Sequence, residues 1–319
     1  MRQFSPGHPL VFNHIPKAAG TSLRTALQQA LQPTVMIRGN DCSLIGGYDE
    51  IEAVRPSAGI PIITAPEQLD AEATFVTGHI GPGTTMARYP EGEHITLLRT
   101  SQLRVLSQWL HSRSLGEFDL RHWGPPAEAF RVARLPLVEY LNRPMVAPNT
   151  DNTITRFLAW PHPKLSQTAF IDESDDDELF DAALARLETF AHVNLVENPE
   201  FLTELSSWLG TILSDTRLNE RTYVPRRRRP KLTRELAAGR ELLDYRARID
   251  SRIWDHVAAK VLPGEDPAQI RENAIERSLS RYDAMLNDSK PTGRPSRRAV
   301  AAVYEVAVHL DPRWRRARR

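Results

Sequence analysis

The sequence predicts an α/β fold: a single three-layer domain on a mainly parallel central sheet, with a helical C-terminal extension. Two observations carry this. Short apolar runs alternate with stretches whose apolar residues recur at helical spacing. One of these runs passes directly into a loop of small residues that opens a helix, the joint of a βα unit. A length of 319 residues with 41% hydrophobic content provides a sizeable core for one large or two ordinary domains of roughly 100–200 residues. A change of character near residue 265 sets the main domain at 1–265 and the extension at 266–319.

The runs at 10–15, 74–77, 95–98 and 193–196 read as buried strands. Ala26, Leu27, Ala30 and Leu31 give helical spacing after the first, and Leu103, Leu106 and Leu110 after the third. Leu179, Ala182, Ala183, Leu187 and Phe190 form another helix. The acidic run from Asp172 to Asp177 lies just before it, where the helix dipole favours negative charge. From Glu265-Asp266-Pro267 a polar helix is expected through about Leu286, then a linker at 290–295 and an apolar helix at 299–310. That last helix is a candidate subunit contact for a homo-oligomer. No repeat at a solenoid or propeller period is present.

The net charge of +1 hides an asymmetry, since residues 1–216 carry 16 basic and 26 acidic side chains while 217–319 carry 25 and 14. The run Arg226-Arg227-Arg228-Arg229-Pro230-Lys231 places like charges side by side, which repel unless something anionic sits nearby. The terminal Arg313–Arg319 segment reads as a frayed basic tail. No stretch approaches the roughly 20 apolar residues of a membrane span, and the N-terminus lacks an apolar signal region. The expectation is a soluble cytoplasmic chain. A single cysteine, Cys42, excludes an intramolecular disulfide and a multi-cysteine zinc site.

Residues 10–15 run straight into Pro16-Lys17-Ala18-Ala19-Gly20-Thr21-Ser22. A strand ending in such a loop aims the first N–H groups of the following helix, and its dipole, at one point suited to a phosphate. Gly20 allows close backbone approach, Lys17 adds a mobile charge, and Thr21 and Ser22 add hydroxyls. The pattern is not the Walker loop, in which the lysine follows the second glycine.

His14-Ile15-Pro16-Lys17-Ala18-Ala19-Gly20-Thr21-Ser22 resembles the 5′-phosphosulfate loop of sulfotransferases that use 3′-phosphoadenosine-5′-phosphosulfate (PAPS). The nearest likeness is to the carbohydrate, heparan-sulfate 2-O-like branch. Arg99, Arg104, Ser107 and Trp109 similarly match that family's 3′-phosphate motif, with Thr100 and Ser101 replacing its acidic-Pro pair. Either of those two residues could cap the helix carrying Ser107. Physically, Arg99 at a strand end can grip a phosphate with paired N–H bonds, while Arg104 reads as a brace. Asn149 to Leu158 and Phe190 to Glu197 continue the likeness more loosely. The resemblance implies a P-loop-like phosphosulfate site of Lys17, Ala18, Ala19, Gly20, Thr21 and Ser22, with Arg99 and Ser107 on the 3′-phosphate. Tyr223, Arg226 and Arg227 are candidates for the basic loop that the family folds over the nucleotide.

Sulfuryl transfer needs an in-line acceptor, charge neutralisation and leaving-group stabilisation. Lys17 suits the last two tasks, and the phosphate leaving group requires no metal. A base must take the acceptor's hydroxyl proton. The segment 75–80 reads as a strand ending at Gly78-His79 and is similar to the branch's His-Gly-His segment, with Thr77 in the first histidine's place. His79 is the expected base. Asp49, Glu50 and Glu52 are the carboxylate alternatives; His14 reads as structural, and His94 and His111 belong to no motif. The expected activity is sulfation of a hydroxyl on a carbohydrate, glycolipid or other small acceptor, without nucleic acid or a membrane-spanning segment. The competing readings are a nucleotide-dependent kinase and a non-catalytic binder of anionic glycan or nucleic acid through the basic C-terminal third.

Overall fold

A computed structural model describes residues 1–41, 43, 61–121, 123–124, 126–214 and 223–288. Six parallel strands form one sheet: β1 (Leu10–Asn13), β2 (Met36–Asp41), β3 (Ile62–Ile63), β4 (Phe75–His79), β5 (Glu93–Leu98) and β6 (His192–Leu195), in the order β3-β2-β4-β1-β5-β6. The chain fills one side of β1 with β2, β3 and β4, then crosses to the other with β5. The reversal falls at β1, and open α/β sheets bind ligands beyond the C-terminal strand ends at such a point.

Side-chain alternation along the strands builds the layers. Leu10 and Phe12 of β1, Phe75 of β4, and Ile95 and Leu97 of β5 share one cluster with Leu23, Ala26 and Leu27 of helix α1 (Gly20–Leu31). Leu205 and Leu209, from the helix Phe201–Leu209, complete it. On the opposite face Val11 and Val76 pack with Ile80 and Tyr89 beside helix α2 (Pro82–Arg88). Further along that face Leu98 and Leu195 meet Phe157, Leu158, Ile253 and Trp254. Helices therefore cover both faces. Helix α3 (Ser101–Ser114) extends the body with Leu103, Leu106 and Leu110, which share a cluster with Leu137, Leu141 and Leu243. The helix Pro267–Asp288 buries Ile275, Tyr282 and Leu286 in the same cluster.

Four strands coincide with the apolar runs to within a few residues, whereas β2 and β3 were not expected. β2 reads Met-Ile-Arg-Gly-Asn-Asp, too polar to stand out, and β3 has two residues. Gly78 explains how β2 and β4 close up at their ends: its φ is 132°, and a Cβ there would lie 2.0 Å from the Gly39 carbonyl. Among the described residues no helix is long and apolar enough to cross a membrane. Cys42, Asp49, Glu50, Glu52, the 290–295 linker, the 299–310 helix and the terminal arginines lie outside the described residues.

Candidate phosphate-binding site

The loop between β1 and α1 has the backbone of an anion cradle. Lys17 has φ 67° and Ala19 φ 55°, with Ala18 between them on the ordinary side of φ. Alternating hands turn successive N–H groups toward one concave face. A left-handed residue with a Cβ costs about 1–2 kcal/mol, so two in one short loop mark backbone held for a purpose. The N–H groups of Lys17, Ala19, Gly20 and Thr21 donate to no acceptor among the described residues, while the Ser22 N–H returns to the Ala19 carbonyl at 3.1 Å. Gly20 is required, because a Cβ there would lie 1.9 Å from the His14 ring.

That ring is buried, stacks on Phe12 with centroids 5.5 Å apart, and stands 4.5 Å from the ring of His79. His79 Nδ1 lies 2.8 Å from the His14 carbonyl oxygen. A carbonyl only accepts, so Nδ1 carries the proton and Nε2 keeps a free lone pair. Burial pulls the His79 pKa down to about 4, and Lys17, Arg38 and Arg24 lower it further while the His14 carbonyl opposes them. His79 is therefore neutral at physiological pH.

Among the described residues, positive charge accumulates here without an answering carboxylate. Burial brings Lys17 to about 8, with Arg99 and Arg104 adding to the effect. His14 is held well below its ordinary value by burial, then by His79, Arg24, Lys17 and Arg38. His111 falls to about 3 through burial, with Lys17 and His79 contributing. Every charged group acting on Lys17, His14, His79 and His111 is cationic or a histidine. A concentration of like charge on convergent N–H donors fits an anion of two or more negative charges.

The two phosphate blocks meet. Arg99, just beyond β5, donates from Nη1 to the Lys17 carbonyl at 3.0 Å and from Nη2 to the Tyr282 hydroxyl at 3.0 Å. Both Nη groups thus already brace the loop and the helix Pro267–Asp288. Ser107 lies part-exposed on α3, and His111 follows it by one turn on the same helix face.

The helix cap differs from expectation. Thr100 occupies the N-cap of α3, but its hydroxyl makes no cap bond and is buried without a partner; Ser101 Oγ instead donates to Asp250 at 2.9 Å. Glu197 supplies the acidic group, accepting the Thr100 N–H at 2.9 Å and Trp254 Nε1 at 3.2 Å. Arg104 is a buried brace directed at Asn149 O (2.5 Å) and Thr153 Oγ1 (2.7 Å).

The basic run divides by role. Arg228 is buried and donates to the Leu115 carbonyl at 2.6 Å, while its own carbonyl accepts from Arg113 Nε, also at 2.6 Å. Arg226 and Arg227 are exposed, and Tyr223, part-buried, lies 5.9 Å beneath Arg229. Arg229 Nη1 reaches the Asn287 carbonyl at 3.5 Å, on the same helix as Tyr282. The five-residue step from Tyr282 to Asn287 rises about 8 Å along the helix, so the Tyr223 segment and Arg99 are tied to neighbouring turns.

Sequence reasoning missed three groups. His111 carried a signal, since it shares a face of α3 with Ser107. Arg24 stands one turn after Gly20 on α1, and Arg38 depended on recognising β2. His94 bridges Asn13 Oδ1 (3.0 Å) and the Tyr89 carbonyl (3.2 Å), on the sheet face away from α1. No family model and no curated protein matches the chain.

Proposed function

We propose that the chain is a sulfotransferase that moves a sulfuryl group from PAPS to a hydroxyl of a carbohydrate, glycolipid or other small acceptor. The observation that carries this reading is the combination of unpartnered N–H donors on the Lys17–Thr21 loop with a neutral histidine whose Nε2 is free beside it. The cradle fits a polyanion, since its cations face no carboxylate among the described residues and its donors await an acceptor.

When bound, PAPS supplies the sulfuryl group, and adenosine 3′,5′-bisphosphate (PAP) is the product. The N–H groups of Ala19, Gly20 and Thr21, with the Thr21 and Ser22 hydroxyls, hold the 5′ end. Lys17 Nζ neutralises charge that grows on the leaving oxygen, a task for a desolvated group that has no ion-pair partner among the described residues. Arg99 fixes the loop through the Lys17 carbonyl and, with Ser107, faces the 3′-phosphate; Tyr223, Arg226 and Arg227 cover the nucleotide. His79 Nε2 takes the acceptor's hydroxyl proton, and the His14 carbonyl keeps the ring oriented as its charge develops. The test is incubation with PAPS and a panel of hydroxyl acceptors, following PAP release and the sulfated product by mass spectrometry. Hydrolysis of a nucleoside triphosphate without use of PAPS would count against the reading.

A further inference from the structure

We propose that Tyr282, on the helix Pro267–Asp288, is a specificity-determining residue of the donor site. Its hydroxyl donates to the 3′-phosphate that Arg99 grips, so the C-terminal extension takes part in telling PAPS from nucleotides without that phosphate. This rests on the sulfotransferase reading and assigns to that site a residue from the extension.

Counting donors and acceptors leads to the hydroxyl. Arg99 Nη2 donates to Tyr282 Oη at 3.0 Å. A guanidinium has no acceptor, so the tyrosine oxygen takes that bond on a lone pair and its own O–H must go elsewhere. That O–H finds no acceptor among the described residues, although Tyr282 is only 5% exposed. A phenol at such depth ordinarily has a partner for its proton.

Arg99 stands in the same condition. Its guanidinium makes two bonds, to the Lys17 carbonyl and to Tyr282, and its other N–H groups meet no acceptor among the described residues. Guanidinium and hydroxyl, side by side, can then donate to neighbouring oxygens of one phosphate, with the charge-assisted bonds that such an anion accepts. A nucleotide lacking the 3′-phosphate leaves both groups unanswered and keeps its contacts with the Lys17–Thr21 loop. A site built to hydrogen-bond one group discriminates strongly against the analogue without it.

Packing fixes the hydroxyl in position. Ile275, Leu279, Tyr282 and Leu286 recur at helical spacing along one stripe. They share a cluster with Leu103, Leu106 and Leu110 of α3, the helix that starts at Ser101, just after Arg99. Arg240 Nη2 pairs with Glu272 at 2.9 Å toward one end of the Tyr282 helix, and Arg229 reaches Asn287 at the other. Tyr282 thus offers its O–H from a supported element, as a ligand-binding group requires.

The experiment titrates the full chain with PAP and with adenosine 5′-monophosphate (AMP), which differs from PAP only in lacking the 3′-phosphate. Parent and Tyr282→Phe are compared, with binding followed by NMR so that weak affinities are measured as well. Phenylalanine keeps the ring in the α3 cluster and removes only the hydroxyl. The parent should prefer PAP, and Y282F should bind PAP about tenfold or more weakly while binding AMP as the parent does. A purely structural role would weaken both nucleotides together, and a thermal melt of Y282F reports on the fold separately. Equal weakening of PAP and AMP, or PAP binding unchanged in Y282F, overturns the assignment and leaves the donor site standing. Failure of the parent to bind PAP, or to prefer it over AMP, removes the sulfotransferase reading and the assignment with it.

Discussion

His79 and His14, at the ends of neighbouring strands, are joined by a 2.8 Å bond from Nδ1–H to the main-chain carbonyl, with their rings 4.5 Å apart. The bond sets the tautomer through backbone that the sheet itself holds still. The same backbone continues within three residues into the Lys17 loop, so proton acceptor and anion cradle share one support.

His79→Ala should therefore lower sulfuryl transfer by roughly 10²–10⁴-fold, the range of a positioned general base. PAP affinity should change by no more than about threefold, since no donor on the loop is lost. Steady-state kinetics beside PAP calorimetry separate the two effects. A parallel loss of binding and turnover would reassign His79 to a structural role.

Lys17 is desolvated, and its folded pKa of about 8 lies below the ordinary 10.5. Its charge thus opposes folding at neutral pH, fully so below about pH 8, and the cost fades as pH rises toward 10.5. Lys17→Met should stabilise the unliganded protein by about 1–3 kcal/mol in urea unfolding while removing PAP binding. A variant both less stable and unable to bind would show that Lys17 serves the fold.

Acid should weaken the protein before its carboxylates protonate. Burial holds His79 and His94 at about 4 and His111 at about 3, against 6.5 in the unfolded chain, and His14 is also lowered. Between these values the unfolded chain binds more protons, so stability is intact above about pH 6.5 and falls as pH drops toward 4. Each histidine contributes a slope of up to about 1.4 kcal/mol per pH unit. Urea midpoints at pH 7.5, 6 and 5 measure this, and His79→Gln should flatten the curve. A midpoint constant over that range would contradict the burial of these rings.

Gly20→Ala forces a methyl into the His14 ring. The expected cost is about 1–3 kcal/mol, with loss of PAP binding as the loop shifts. His14→Ala removes the obstacle, so the G20A/H14A double variant should recover much of the stability lost by G20A alone. Additive effects in the thermal melts would mean that the two residues do not press on one another.

The sequence revealed the parts of the site that lie close together along the chain. Lys17 through Ser22 is one uninterrupted segment opening a helix, and residues 95–98 with Arg99 form another, so their strand–loop–helix geometry could be read from local pattern. What it concealed depends on pairing across the sheet. Arg38 belongs to a strand whose polar residues mask its alternation, and it reaches His79 only through the β2–β4 register. The acid at the head of α3 shows the same limit: Thr100 and Ser101 looked like the caps, yet Glu197 arrives from the end of β6, 97 residues from Thr100. Tyr282 meets Arg99 across 183 residues, a contact no local motif encodes. Gly20 was read as leaving room for a ligand, and the ring beneath it shows that it also makes room for His14.

The most direct test is calorimetric titration of the full chain with PAP at low and moderate salt, alongside Lys17→Ala. One molecule should bind per chain, weakening with salt, and the variant should lose about 100-fold or more in affinity. No heat of binding at low salt, or equal binding by Lys17→Ala, would contradict the claim that the β1–α1 loop is a nucleotide anion cradle.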